Sequence, residues 1–139
     1  MARTIIVKGD PIHKEGDAAE ALKPGMLVNF NGAPGKLIKH ATAGGRAALR
    51  VVVERSYIGE DTEATIAIGE RVEYVVPRAG DEVFVRLTGA SGLNPGDLLA
   101  SAGDGTLKLA GGSDAVIAAM IPQHYPALST GVWRKVEAL

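Results

Sequence analysis

Two stretches of this chain are written to one plan. Residues 21–41 read ALKPGMLVNFNGAPGKLIKHA, and residues 92–110 read GLNPGDLLASAGDGTLKLA. Each opens on Leu, one further residue and Pro-Gly, then runs through a strand-like segment to a glycine turn. Each returns through a second strand carrying Lys-Leu or Leu-Lys and ends in Ala. Gly-Gly and a run of small and branched residues follow both copies, at 44–53 and at 111–121. Pro-Gly suits the centre of a type II turn, because proline fixes φ and glycine accepts a positive one. Asp104-Gly105 is the dipeptide of a type I′ hairpin. Reuse of one turn–hairpin–strand unit, at about 21–53 and 92–121, implies two related β units in one core. The chain of 139 residues is then a single domain, 1–139.

The rest of the chain repeats this rhythm. Short apolar and β-branched runs bounded by Gly, Pro, Asn or Asp predict strands at 4–8, 26–30, 36–40, 48–55, 71–76, 82–87, 97–101, 106–109, 115–121 and 131–137. Some alternate cleanly, but Phe84 breaks the split in 82–87, and neither face of 131–137 is purely apolar. Only 16–22 (GDAAEAL) has helical composition, and Pro24 stops it early, so at most one short helix is expected there. Strands at this spacing without long helices predict an all-β fold, a compact barrel or sandwich.

Composition narrows the function classes. With 15 basic and 16 acidic residues, the chain has no excess or stripe of Lys and Arg for a phosphate backbone, so no nucleic-acid partner is expected. The absence of cysteine excludes disulfides, thiol nucleophiles and Cys-ligated zinc. The N-terminal apolar run is too short for a signal-peptide core, and no stretch approaches the ~20 apolar residues of a membrane span. The chain is expected to be made in the cytoplasm, to stay off membranes, and to reach any other destination by assembly.

A search for chemistry returns turns. His13, His40 and His124 form no H-x-x-x-H or H-x-H pair and read as surface or turn histidines. Ser91 sits in a G-x-S setting whose second glycine is missing, since position 93 is Leu. Residues 43–46 (AGGR) lack a Walker lysine, and the acidic run 60–63 lacks the order of an EF-hand loop, so it reads as a solvated connection. Gly-Asp recurs at 9–10, 80–81, 96–97 and 103–104, which is turn vocabulary rather than four acid catalysts. No cofactor, metal or catalytic residue is assigned, and Asp97 and Asp104 are not expected to make an enzyme. Trp133 and Arg134 stand out in a chain with a single Trp. They are either anchors of a subunit interface or, for Trp133, a plug at one end of the barrel.

Taken in order, Lys-Pro-Gly-Met-Leu-Val, Lys-His-Ala-Thr-Ala-Gly-Gly, Gly-Asp-Glu-Val-Phe-Val and Asn-Pro-Gly-Asp-Leu-Leu-Ala-Ser-Ala-Gly-Asp-Gly-Thr-Leu resemble the head decoration (cement) proteins of tailed bacteriophages. The resemblance covers roughly 22–121 and departs from the family at 122–126 (PQHYP). It implies a non-enzymatic β-tulip domain on the outer surface of the virion. It also implies homotrimers that clamp the major capsid protein of the expanded shell against packaged DNA. An N-terminal arm at 1–8, with Ala2, Arg3, Thr4, Ile5, Ile6 and Val7 as candidate capsid-binding residues, is expected by the same resemblance. The alternative is a small β-barrel binding or fibre-anchoring module, for carbohydrate or a partner protein.

Overall fold

The computed structural model of the protein describes residues 4–32, 36–89, 93–122 and 133–139. Their strands are β1 (Ile6–Lys8), β2 (Ile12–Ala18), β3 (Val28–Phe30), β4 (Lys36–Lys39), β5 (Val51–Val52) and β6 (Arg71–Val76). They continue with β7 (Glu82–Arg86), β8 (Leu98–Ser101), β9 (Leu107–Leu109), β10 (Ala118–Met120) and β11 (Trp133–Ala138). A 3-10 turn at Ser56–Ile58 is the one helical element among the described residues. The fold is all-β, with two sheets ordered β3-β4-β2-β6-β5 and β1-β7-β11-β10-β8-β9.

Each sheet bends back on itself. In the first, Leu27 beside β3 pairs with Val51 of β5; in the second, Leu87 after β7 pairs in parallel with Leu107 of β9. The two rings share one register. Gly16 faces Val72 in the first as Val85 faces Arg134 in the second. Val28 faces Lys39 as Leu99 faces Leu109, and Val52 faces Tyr74 as Met120 faces Val136. The parallel contact matches too: Ala19 N–H donates to the Leu37 carbonyl, and Thr88 N–H to that of Leu107. The duplication therefore extends through β2–β6 and β7–β11, beyond the segments in which the sequence shows it.

Both Pro-Gly turns take the expected form. Met26 N–H returns to the Lys23 carbonyl and Asp97 N–H to that of Asn94, with φ of +85° at Gly25 and +92° at Gly96. The β8–β9 turn does not. A type I′ turn needs positive φ at both central residues, but only Gly103 and Gly105 are positive there and Asp104 is not.

Two cores result. Ala18, Leu22, Val28, Leu37, Val52, Ile66, Val72 and Tyr74 pack together in the first ring. The larger core combines second-ring residues with Leu27, Val51, Val53 and Val75. Alternation along the first ring sends Val52 and Tyr74 to one core and Val51 and Val75 to the other, so this wall is apolar on both faces. Phe84 obeys the same logic. It is buried with Val83 and Val85 because β7 has β1 and the core around it.

Two expectations are corrected here. The short helix allowed at 16–22 does not form, since residues 16–18 end β2, whose residues 12–17 pair along their whole length with β6. Residues 6–8, expected both in a strand at 4–8 and in an arm at 1–8, do form a strand, β1, but it pairs with β7 of this chain, and Ile5 is fully buried in the larger core. Thr4 is exposed, and Ala2 and Arg3 lie outside the described residues. Ile5→Ala should accordingly cost about 2–5 kcal/mol, as for other buried aliphatic truncations. Urea unfolding read by circular dichroism measures it, and an unchanged midpoint would return Ile5 to an arm.

Candidate interaction surfaces

Several acidic side chains close turns. The Asp81, Asp97 and Asp114 carboxylates accept the backbone N–H three residues earlier, from Arg78 (2.9 Å), Asn94 (2.8 Å) and Gly111 (2.7 Å). The Asp104 carboxylate accepts both the N–H and the hydroxyl of Thr106. The Thr106 hydroxyl, against a smaller opposing effect of burial, holds the Asp104 carboxyl below the usual carboxylate range. At the position equivalent to Asp97, Met26 turns its sulfur to the Lys23 N–H at 3.4 Å. Among the described residues no group of three or more His, Asp or Glu side chains converges as a metal site would require.

The acidic run 60–63 is a loop with Asp61 and Glu63 exposed, as expected, but it is also tied to buried cations. Arg55, 4% exposed, donates through Nε and Nη2 to both Glu60 oxygens at 2.8 and 2.7 Å, and through Nη1 to Glu70 at 2.6 Å. Thr62 is fully buried. Glu63 belongs to the joint between the rings, whose centre is Arg86 (8% exposed). The Arg86 guanidinium donates to the Pro24 carbonyl at 2.7 Å and the Thr62 carbonyl at 2.9 Å, and reaches Glu63 at 3.4 Å. Its carbon lies 4.3 Å from the centre of the Trp133 ring. The Trp133 indole N–H donates to the other Glu63 oxygen at 2.8 Å.

Trp133 is thus buried within the chain (5% exposed), and its ring serves the joint rather than an outward-facing surface. Arg134 is half-buried and its Nη1 donates to the Trp133 carbonyl. The sequence offered Trp133 as an anchor without showing what it anchors to, since Glu63 lies 70 positions away.

His40, expected at the surface, is buried at a second joint. Its Nε2 donates to the Arg46 carbonyl at 3.2 Å, and its Nδ1 lies 2.6 Å from the Ser101 hydroxyl, which accepts the Gly103 N–H. The tautomer that satisfies all three carries its proton on Nε2 and accepts from Ser101 on Nδ1. His40 therefore pins the start of the 46–50 segment to the second ring. His124 and Ser91 lie outside the described residues.

No protein-family model and no curated protein matches the chain. Among solved structures, it is similar to the crystal structure of the head fibre gp8.5 N base in bacteriophage phi29. The TM-score is 0.60 at 11% identity, over 92% of this chain and 93% of that one. At that identity the likeness is one of fold.

Two measurements test the Arg86 joint. A Cβ on Gly25 would lie 2.5 Å from the Trp133 ring, whereas one on Gly32, also at positive φ, would meet nothing. Gly25→Ala should therefore destabilise by about 1–3 kcal/mol more than Gly32→Ala in urea unfolding. Burial raises the Glu63 carboxyl, but the Trp133 indole N–H and Arg86 together outweigh it and hold the group below the usual range. A carboxyl lowered in the folded state adds stability at neutral pH and loses it as pH falls through that lowered value. Melting temperature should drop on acidification in the wild type and drop less in Glu63→Gln.

Proposed function

We propose that this protein is a structural component of a tailed-bacteriophage head, bound as a homotrimer to the major capsid protein on the outer surface of the shell. The observation that carries the reading is the fold's likeness, over nearly the whole chain, to the base of a phage head fibre. The order of the Pro-Gly, Gly-Gly and Asp-Gly motifs, which resembles the decoration proteins, favours a cementing role at that place. The geometry is compatible with non-enzymatic work. Several acidic side chains are consumed by the chain's own turns, and the buried cations Arg55 and Arg86 brace loops and rings. Attachment would draw on many modest contacts multiplied over copies of the capsid protein.

A second reading is kept because the similar structure is specifically the base of a fibre: the protein anchors a projection to the head instead of stiffening it. The two separate on one preparation. Heads of the phage whose genome carries the gene are mixed with the protein, pelleted, and heated with and without it. A cement co-sediments with expanded heads, spares unexpanded ones and raises the temperature at which DNA escapes. A fibre base co-sediments without raising it. A monomer by light scattering that pellets with neither form of head sinks both readings.

A further inference from the structure

A concavity of about 630 Å³ lies where the equivalent segments of the two rings approach each other. Counted back from the matched residues Val52 and Met120, residues 47–49 of the first ring correspond to 115–117 of the second. The concavity is lined by Arg46, Ala47, Ala48 and Arg50 on one side, by 115–117 on the other, and by Asn29. Alanine stands at three of these facing positions, so the walls leave the space unfilled.

Its charge is one-sided. No carboxylate lines it, and neither Arg46 nor Arg50 makes an ion pair among the described residues, whereas Arg55, Arg71 and Arg86 all do. The Arg50 guanidinium lies 5.3 Å over the Phe30 ring, a contact that braces it without using its N–H donors. Arg46 is placed from behind by the bond from buried His40 to its carbonyl. The nearest acid in sequence, Asp114, is taken up by the Gly111 N–H and by Lys108 at 3.2 Å. The main chain of Ala47 and Ala48 has no hydrogen-bond partner among the described residues.

We infer that this groove binds an extended acidic segment of a protein partner. Arg46 and Arg50 take its carboxylates, and its main chain lies along Ala47 and Ala48, where small side chains let it approach. Guanidinium donors match carboxylates in geometry as well as charge. Two cations in a concavity suit a short acidic peptide, whereas a nucleic acid would call for a longer basic stripe.

The inference does not rest on the capsid reading, and its test needs no capsid. A fluorescein-labelled octapeptide alternating glutamate and valine is titrated with the full-length protein, with fluorescence anisotropy as the readout. Saturable binding is expected, weakened by added salt. Arg46→Ala and Arg50→Ala should each weaken it about tenfold, and Arg46→Lys less, while Arg78→Ala, at an exposed cation outside the groove, leaves it unchanged. Circular dichroism checks that each variant is folded. Three results overturn the proposal: binding that survives both alanine variants, displacement of the peptide by free glutamate at equal concentration, or tighter binding of an oligothymidylate than of the peptide.

Discussion

The arrangement of the two rings depends on one buried guanidinium. A charge removed from water is tolerated only when its donors find acceptors, and Arg86 finds them on three separate segments. The Pro24 carbonyl belongs to the first Pro-Gly turn, the Thr62 carbonyl and Glu63 carboxylate to the loop before β6, and the Trp133 face to β11. Two of these segments lie in the first half of the chain, and Trp133 lies in the second, beside Arg86 itself. A lysine could supply the charge but not the planar set of donors that engages all of them at once. The turn in turn needs glycine at position 25, where the Trp133 ring leaves no room for a side chain.

The same rung in the other ring shows how far the copies have diverged. Arg86 faces Trp133 across β7 and β11, and in the equivalent place Asp17 faces Arg71 across β2 and β6. That second pair is an exposed ion contact at 3.7 Å, with side chains 45% and 58% accessible, of the kind that adds little stability. Backbone register has been preserved while the side chains follow what lies opposite: solvent in one ring, the neighbouring ring's turn in the other. Hydrogen bonds of the ladder do not depend on side-chain identity, which is why the topology repeats where the sequence no longer does.

This explains which features were legible beforehand. Pro24-Gly25 and Pro95-Gly96 announced their turns because φ is a local property, and residues 71–76 were readable as a strand because Val72, Tyr74 and Val76 alternate with polar residues at its start and Val75 adds β-branching. β2 was not readable. Its exposed residues His13, Lys14 and Glu15 are all polar and Gly16 interrupts the pattern, so its strand character comes from β6 alongside it. The run 4–8 was readable as a strand, but not whether that strand belongs to an arm or to the core, because burial of Ile5 depends on a sheet formed by distant residues. The roles of Trp133, His40 and Arg55 were hidden for the same reason: each is defined by a partner far along the chain or in a loop with no regular pattern.

The groove between the rings follows from duplication as well. When two copies of a unit pack together, equivalent segments meet at the seam, and filling the seam requires large side chains on at least one of them. Here Ala47, Ala48 and Ala115 are all small and Val116 is partly exposed, so the gap stays open. The copies are not equally charged. Where the first ring has Arg46 the second has Asp114, which is held in its own turn, and where the first has Arg50 the second has the buried Ala118. A near-neutral total of 15 bases and 16 acids thus conceals a local imbalance, because several acids close turns or brace joints while these two arginines make no ion pair among the described residues. Net charge describes how a chain behaves in bulk solution. What it can recognise is set by the charges its own fold leaves uncommitted.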